Sequence, residues 1–157
     1  MIIKLIGSAV VLISAVFFAV SHYKFQERKL RTLDGFIALI MYVKGQVDCY
    51  ALPLREILSR LPAEIFCDCN CPEGADSLDE LVLESSIYLE EEALRLCEAF
   101  ASEFGSTFRE EQLRRCDYYV SALVEQRKVL AEETLKRSRV GSALWICSSL
   151  GLLILIW

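Results

Sequence analysis

Residues 108–157 read FREEQLRRCDYYVSALVEQRKVLAEETLKRSRVGSALWICSSLGLLILIW. As far as Arg139 this stretch carries a charge at almost every turn and contains neither Pro nor Gly, so nothing in it interrupts a helix. From Val140 to Trp157 there is no Asp, Glu, Lys or Arg. As a single helix it would be ~75 Å long at ~1.5 Å per residue, more than twice the hydrocarbon thickness of a bilayer. Such a helix is expected to begin in water and end in a membrane. Along its charged part, Leu113, Cys116, Val120, Leu123, Arg127, Leu130 and Thr134 fall at alternating steps of three and four. That is a heptad seam requiring a partner helix, with Arg127 and Thr134 weakening its C-terminal half.

A second uncharged run, Leu5 to Tyr23, lies at the other end of the chain. Each run has the length at which an apolar stretch is read as a spanning helix. The expected fold is therefore all-α: an antiparallel bundle of about four to six helices over 24–139, flanked by transmembrane helices at 2–23 and 140–157. Positive residues mark the side of a span that stays in the cytoplasm. Lys24, Arg28, Lys29 and Arg31 follow the first run, and Lys136, Arg137 and Arg139 precede the second. Both clusters lie on the central segment, which predicts a two-pass hairpin with the termini outside and the domain in the cytoplasm. The alternative reading is a cleaved signal peptide. Lys4 would be its n-region, Leu5 to Phe18 its h-region and Ala19-Val20-Ser21 the cleavage site, leaving an exported domain anchored by its C-terminus.

The residues argue against chemistry. The single His, His22, sits at the membrane edge, so no nucleophile has an evident imidazole partner. The seven glycines are scattered and form no phosphate loop. Neither uncharged run carries the ionisable groups of a proton or ion pathway. No catalysis, cofactor or small-molecule substrate is expected. Nucleic acid is excluded as a partner by the acidic middle of the chain, where about twelve carboxylates between Glu64 and Glu103 face only Arg95. Of the seven cysteines, Cys67, Cys69 and Cys71 form the one constellation that needs a decision. Three thiols in five residues are weak metal candidates, because zinc ligands are usually separated by two or more residues. In the exported alternative they would form disulfides or hold a metal. Small residues at helical spacing, Ala15 and Ala19 in the first run and Ala143, Cys147 and Gly151 in the second, are the candidates for helix packing within lipid.

In chain order, Leu30, Leu33, Ile37, Ile40, Val43 and Val47 make one apolar stripe continuing the first run. Pro53 opens a short second helix that Pro62 closes. Residues 63–76 read as a loop rich in turn formers. Ser77 with Glu80 forms a capping box for a helix running to Phe104, with a break near Ser85-Ser86 and Gly105 as its stop. Thr107 with Glu110 forms a second box and starts the long helix.

That order of elements, with KLIGS at Lys4–Ser8, ERKLR at Glu27–Arg31, LPLREIL at Leu52–Leu58 and FGSTFREEQ at Phe104–Gln112, resembles the stage III sporulation protein AB family of endospore-forming bacteria. The resemblance covers most of the chain except the stretch from Ala63 to Tyr88, which is shorter and richer in cysteine than that family's pattern. It implies a non-enzymatic membrane subunit of the mother cell, in the secretion-like channel complex that links it to the engulfed forespore. It also implies a cytoplasmic helical domain similar to that of the F proteins of type II secretion and type IV pilus machines. The implied partners are other membrane subunits of the channel complex, membrane lipid and a cytoplasmic secretion-type ATPase. Arg109, Glu110 and Gln112, at the restart of the long helix, match the family pattern and are the expected partner-interface residues.

Overall fold

No proline interrupts the chain before Pro53, and the computed structural model accordingly carries a single 49-residue helix, α1, over Ile2–Tyr50. It describes the backbone of residues 2–50, 52–71, 74–75, 77–105 and 107–156, and the side chains of 13–14, 16–17, 20–50, 52–71, 74–75, 77–105 and 107–136. The remaining elements are α2 (Leu54–Ser59), α3 (Ala63–Asp68), α4 (Leu78–Ser85), a 3-10 turn (Ser86–Tyr88), α5 (Glu91–Glu103) and α6 (Arg109–Ile156). Among the described residues there is no strand, so the chain is all-α as expected. Also among the described residues, no helix is long and apolar enough to cross a membrane. Most side chains of the two expected spans, 2–23 and 140–157, lie outside the described residues, including all of Ala15, Ala19, Ala143, Cys147 and Gly151.

The partner of the α6 seam is α1. Arg127 Nη2 donates to Asp34 Oδ2 at 3.0 Å while its Nε reaches Oδ1. Lys44 pairs with Asp117, and Arg109 Nη2 with Asp48 Oδ1 at 2.8 Å. Positions rise along α1 as they fall along α6, so the two long helices run antiparallel. Surface pairs of this kind add little stability singly, but together they fix one register. Within the seam Cys116, Leu123 and Leu130 are buried, and Leu113 and Val120 pack half-buried against them. Arg127 turns out to Asp34, and Thr134 hydrogen-bonds back to the Leu130 carbonyl at 2.8 Å.

Two faces are wider than the stripes predict. Tyr119 is buried although it lies off the heptad, because α6 also packs on α5, where the Phe100 ring meets it edge-on at 5.6 Å. On α1, Thr32, Phe36 and Leu39 are buried beside the predicted Leu33, Ile40, Val43 and Val47. The cause is that α1 packs on α6, α3, α2 and the 3-10 turn at once. Gly35 marks its tightest approach: a Cβ there would lie 2.7 Å from the Cys69 nitrogen and 2.8 Å from the Asp68 carbonyl carbon.

The stretch expected as a loop over 63–76 begins instead as α3. Pro62, expected to close the preceding helix, is the N-cap of α3, and α2 has already ended at Ser59. A helix of six residues displays little period, and α3 follows a proline that the sequence reading assigns to the end of a helix, whereas α2 of the same length has Pro53 as a start signal. α3 ends in a Schellman closure: Asn70 takes φ +59°, its N–H donates to the Cys67 carbonyl at 3.1 Å, and the Cys71 N–H donates to the Phe66 carbonyl at 3.0 Å. Elsewhere the punctuation follows the sequence. The Ser77 hydroxyl accepts from the Glu80 N–H at 3.2 Å, the break falls at Ser86–Glu90, and Gly105 follows α5 with φ +84°.

Candidate functional site

The start of α6, the end of α1 and the end of α5 meet at the end of the bundle away from the uncharged runs. The capping box expected there from Thr107 is not formed. The Thr107 hydroxyl is buried with no hydrogen-bond partner among the described residues. Instead Gln112 Nε2 donates to the Thr107 carbonyl at 2.8 Å, and the Gln112 N–H to the Phe108 carbonyl at 3.0 Å. The helix thus starts one residue later than the box requires, which turns Thr107 inward. Of the three expected interface residues, Gln112 is half-buried and holds this start together. Arg109 is exposed but tied to both the carboxylate and the carbonyl of Asp48. Glu110 is exposed.

Sequence reasoning missed the apolar part of this surface. Phe108 is 92% exposed and Tyr50 is 69% exposed. Phe108 lies one residue before α6 and Tyr50 at the last residue of α1, so neither belongs to a periodic stripe that would have announced it. Asp48 was missed for another reason: its pairing with Arg109 needs the α1–α6 register, which no local signal provides.

The cysteine constellation is divided by the α3 closure. Cys67 faces solvent, whereas Cys69 and Cys71 face the core. Ser85 from α4 joins the two inner positions. Its hydroxyl donates to the Cys69 carbonyl at 2.6 Å or the Leu81 carbonyl at 2.8 Å, and it stands 3.1 Å from the Cys71 sulfur. Among the described residues no group of three or more His, Cys, Asp or Glu is placed to hold a metal ion. Burial raises the thiol pKa of Cys69 well above its ordinary value, and raises that of Cys71 against the opposing hydrogen bond from Ser85. Burial likewise pushes Cys97 up to about 12 and Cys116 up to about 11. Protonated thiols in the core are poor nucleophiles and poor ligands. They fill space as small apolar groups.

Two predictions follow from this geometry. In the folded domain Cys49 and Cys67, both exposed, should react with maleimide within minutes, while Cys69, Cys71, Cys97 and Cys116 should react only after denaturation. Mass mapping of the labelled chain checks this, and early labelling of Cys69 would contradict the α3 packing. The second concerns alkaline pH. Tyr119 is pushed up to about 12, first by burial and then by its hydrogen bond to Glu103. Because the folded values of Cys97, Cys116 and Tyr119 are raised, the fold binds these protons more tightly than the unfolded chain does. Their contribution is complete below the ordinary thiol value of 9.0 and is lost as pH rises from there toward about 11 to 12. Tm should fall through that window, and the Cys97→Ala/Cys116→Ala variant should fall less steeply.

The chain matches no protein-family model, no curated protein and no solved structure.

Proposed function

We propose that this chain is a non-enzymatic, two-pass subunit of the sporulation channel complex between mother cell and forespore, with its helical domain docking a cytoplasmic ATPase. In this reading 2–23 and 140–157 span the mother-cell membrane, and their small residues, Ala15, Ala19, Ala143, Cys147 and Gly151, pack against neighbouring spans. The observation that carries it is the antiparallel, ion-paired couple of α1 and α6. Lys29 and Leu33 of α1 stand beside Leu130 of α6, so both helices leave the domain at one end, and there both become uncharged. On α1, Ile13, Val16, Phe17 and Val20 are between 49% and 76% exposed. A contiguous apolar face of that kind is unfavourable in water and suited to lipid. The opposite end of the couple carries the exposed Phe108, Tyr50 and Glu110, a surface for a partner some 40 Å from the bilayer at ~1.5 Å per residue.

Arg109 is the wrong residue on which to test docking, since reversing its charge also breaks the tie to Asp48. The Phe108→Ala/Glu110→Arg variant removes exposed groups only. It should reduce co-purification of the ATPase from sporulating cells about tenfold, the range of a 1–2 kcal/mol interface residue, with membrane fractionation and helicity unchanged. Undiminished capture would overturn docking at this end. For topology, an impermeant maleimide applied to intact cells should leave Cys49 and Cys67 unlabelled until the membrane is permeabilised. Labelling before permeabilisation would favour the exported, C-terminally anchored domain.

A further inference from the structure

Between Arg60 and Arg95 the chain carries no Lys or Arg, and α4 lies within that interval. The helix is amphipathic: Leu78, Leu81, Val82 and Ser85 are buried, while Asp79, Glu80, Leu83 and Glu84 are exposed. Two outward residues are aliphatic. Leu83 is 73% exposed, and Ile87, four positions on in the 3-10 turn, is 72% exposed. Single exposed aliphatics are ordinary on a surface, but two on successive turns of one face make a patch. Contacts behind the patch hold it in place. The Ser85 hydroxyl donates to the Cys69 carbonyl at 2.6 Å, and the Tyr88 ring stands 5.7 Å from that of Phe25. The Tyr88 hydroxyl accepts from Arg28 Nη1 at 3.4 Å, and Glu90 pairs with Lys29 at 3.4 Å. A surface ordered in advance loses little freedom when a partner arrives. Its charge is negative. The turn of α1 around Phe25 adds the exposed Glu27 against the exposed Lys24 and Arg28, so the carboxylates stay in the majority. Lys29, Arg31 and Arg95 are already paired with Glu90, Asp68 and Glu91.

We infer that the outer face of α4 and the 3-10 turn docks a basic amphipathic helix of a partner protein. Leu83 and Ile87 meet the apolar side of that helix, and Asp79, Glu80 and Glu84 take the Lys and Arg side chains that flank it. Charge complementarity selects this occupant, since opposite charges steer the encounter and like charges across an interface cost affinity. Nucleic acid and anionic lipid are repelled by the same carboxylates. A second copy of the chain is a poorer fit, because its exposed Leu135 and Lys136 bring the exposed Glu132 and Glu133 with them. The apolar pair supplies contact that persists where salt screens the attraction between exposed charges. The inference requires neither the ATPase contact at the start of α6 nor the membrane reading.

Photocrosslinking from benzoylphenylalanine placed at Ile87 of the full chain, in the cells that make it, tests the inference. The captured segment, sequenced by mass spectrometry, should carry more Lys and Arg than Asp and Glu, with apolar residues at helical spacing. Its yield should fall about tenfold when Leu83→Ala removes the neighbouring anchor. Glu84→Lys should lower it about fivefold and Glu84→Gln about twofold, following the charge removed from the rim. Cys69 should stay closed to maleimide in each variant, which reports that α4 is still seated on α3. The milder Glu84→Gln carries the charge test if Glu84→Lys opens Cys69, and placement at Leu83 serves if the crosslinker at Ile87 disturbs the turn. Absence of capture from both positions would overturn the inference. So would capture of lipid, of a second copy, or of a segment without an excess of Lys and Arg, and so would a yield indifferent to charge at Glu84.

Discussion

Gly35→Ala is expected to destabilise the domain by about 2 kcal/mol, whereas Gly45→Ala on the same helix is expected to stabilise it by up to about 1 kcal/mol. Both replacements gain the helix propensity that glycine lacks, worth roughly 1 kcal/mol. At Gly45 nothing lies within 4 Å of the new Cβ, so the gain is kept. At Gly35 the Cβ meets two backbone atoms of α3 at 2.7 and 2.8 Å and the Asp68 Cβ at 3.1 Å. Backbone cannot rotate aside as a long side chain can, and overpacking of this kind costs about 1–3 kcal/mol or more. The clash wins because relief requires all of α3 to move, with the Schellman closure, the Ser85 hydrogen bonds and the Arg31–Asp68 pair attached to it. Denaturant unfolding of the full chain in detergent measures the two opposite signs. Maleimide labelling of Cys69 supplies a local readout, since lifting α3 exposes a residue now 1% accessible. Stabilisation by Gly35→Ala would refute the close approach of α1 and α3.

Leu123→Ala should cost about 2–5 kcal/mol, the range for removing a fully buried leucine from a core that cannot collapse onto the gap. Leu123 is at 0% exposure in the seam, between the α1 and α5 contacts of α6. Four residues on, Arg127→Ala should change stability little, because the pair with Asp34 is half-exposed and water solvates both charges when it is broken. Its effect belongs to register, and crosslinks between α1 and α6 in that variant should spread over neighbouring positions. Equal losses at the two positions would mean that the seam is held by charge rather than by burial. That would contradict the packing described here.

Helix periods and stops are legible in the sequence wherever an element exceeds two turns, and so is the Ser77 cap of α4. The stripes on α1 and α6 gave Leu33, Ile40, Val43, Val47, Cys116, Leu123 and Leu130 correctly as core. The errors cluster at short range and at long range. Residues 63–68 read as loop because six residues show little period and a proline such as Pro62 can stop one helix as well as start another. Thr107 was misread because a capping pattern states what a helix start can do, not where the neighbouring helices allow it to begin. The outward-facing site residues, Phe108 and Tyr50, had no signal, since an exposed apolar residue outside a stripe looks like any loop residue. The Cys67, Cys69 and Cys71 cluster looked like one chemical unit in the sequence, and the reversal at Asn70 separates it into one outward and two inward thiols.

The sequence by itself determined that this chain is helical, that its charges other than Lys4 are confined to the middle, and that two long helices carry the uncharged runs near its ends. These are local properties: propensity, period and the distribution of charge act within a few residues of each position. Tertiary structure alone decided the register in which the antiparallel α1 and α6 meet, that Gly35 admits α3, and that the 3-10 turn is held beside Phe25. Those outcomes depend on which distant surfaces meet, as Asp34 meets Arg127 across 93 residues of chain. No local preference encodes such a meeting; it is selected by the burial and pairing that the assembled helices achieve together.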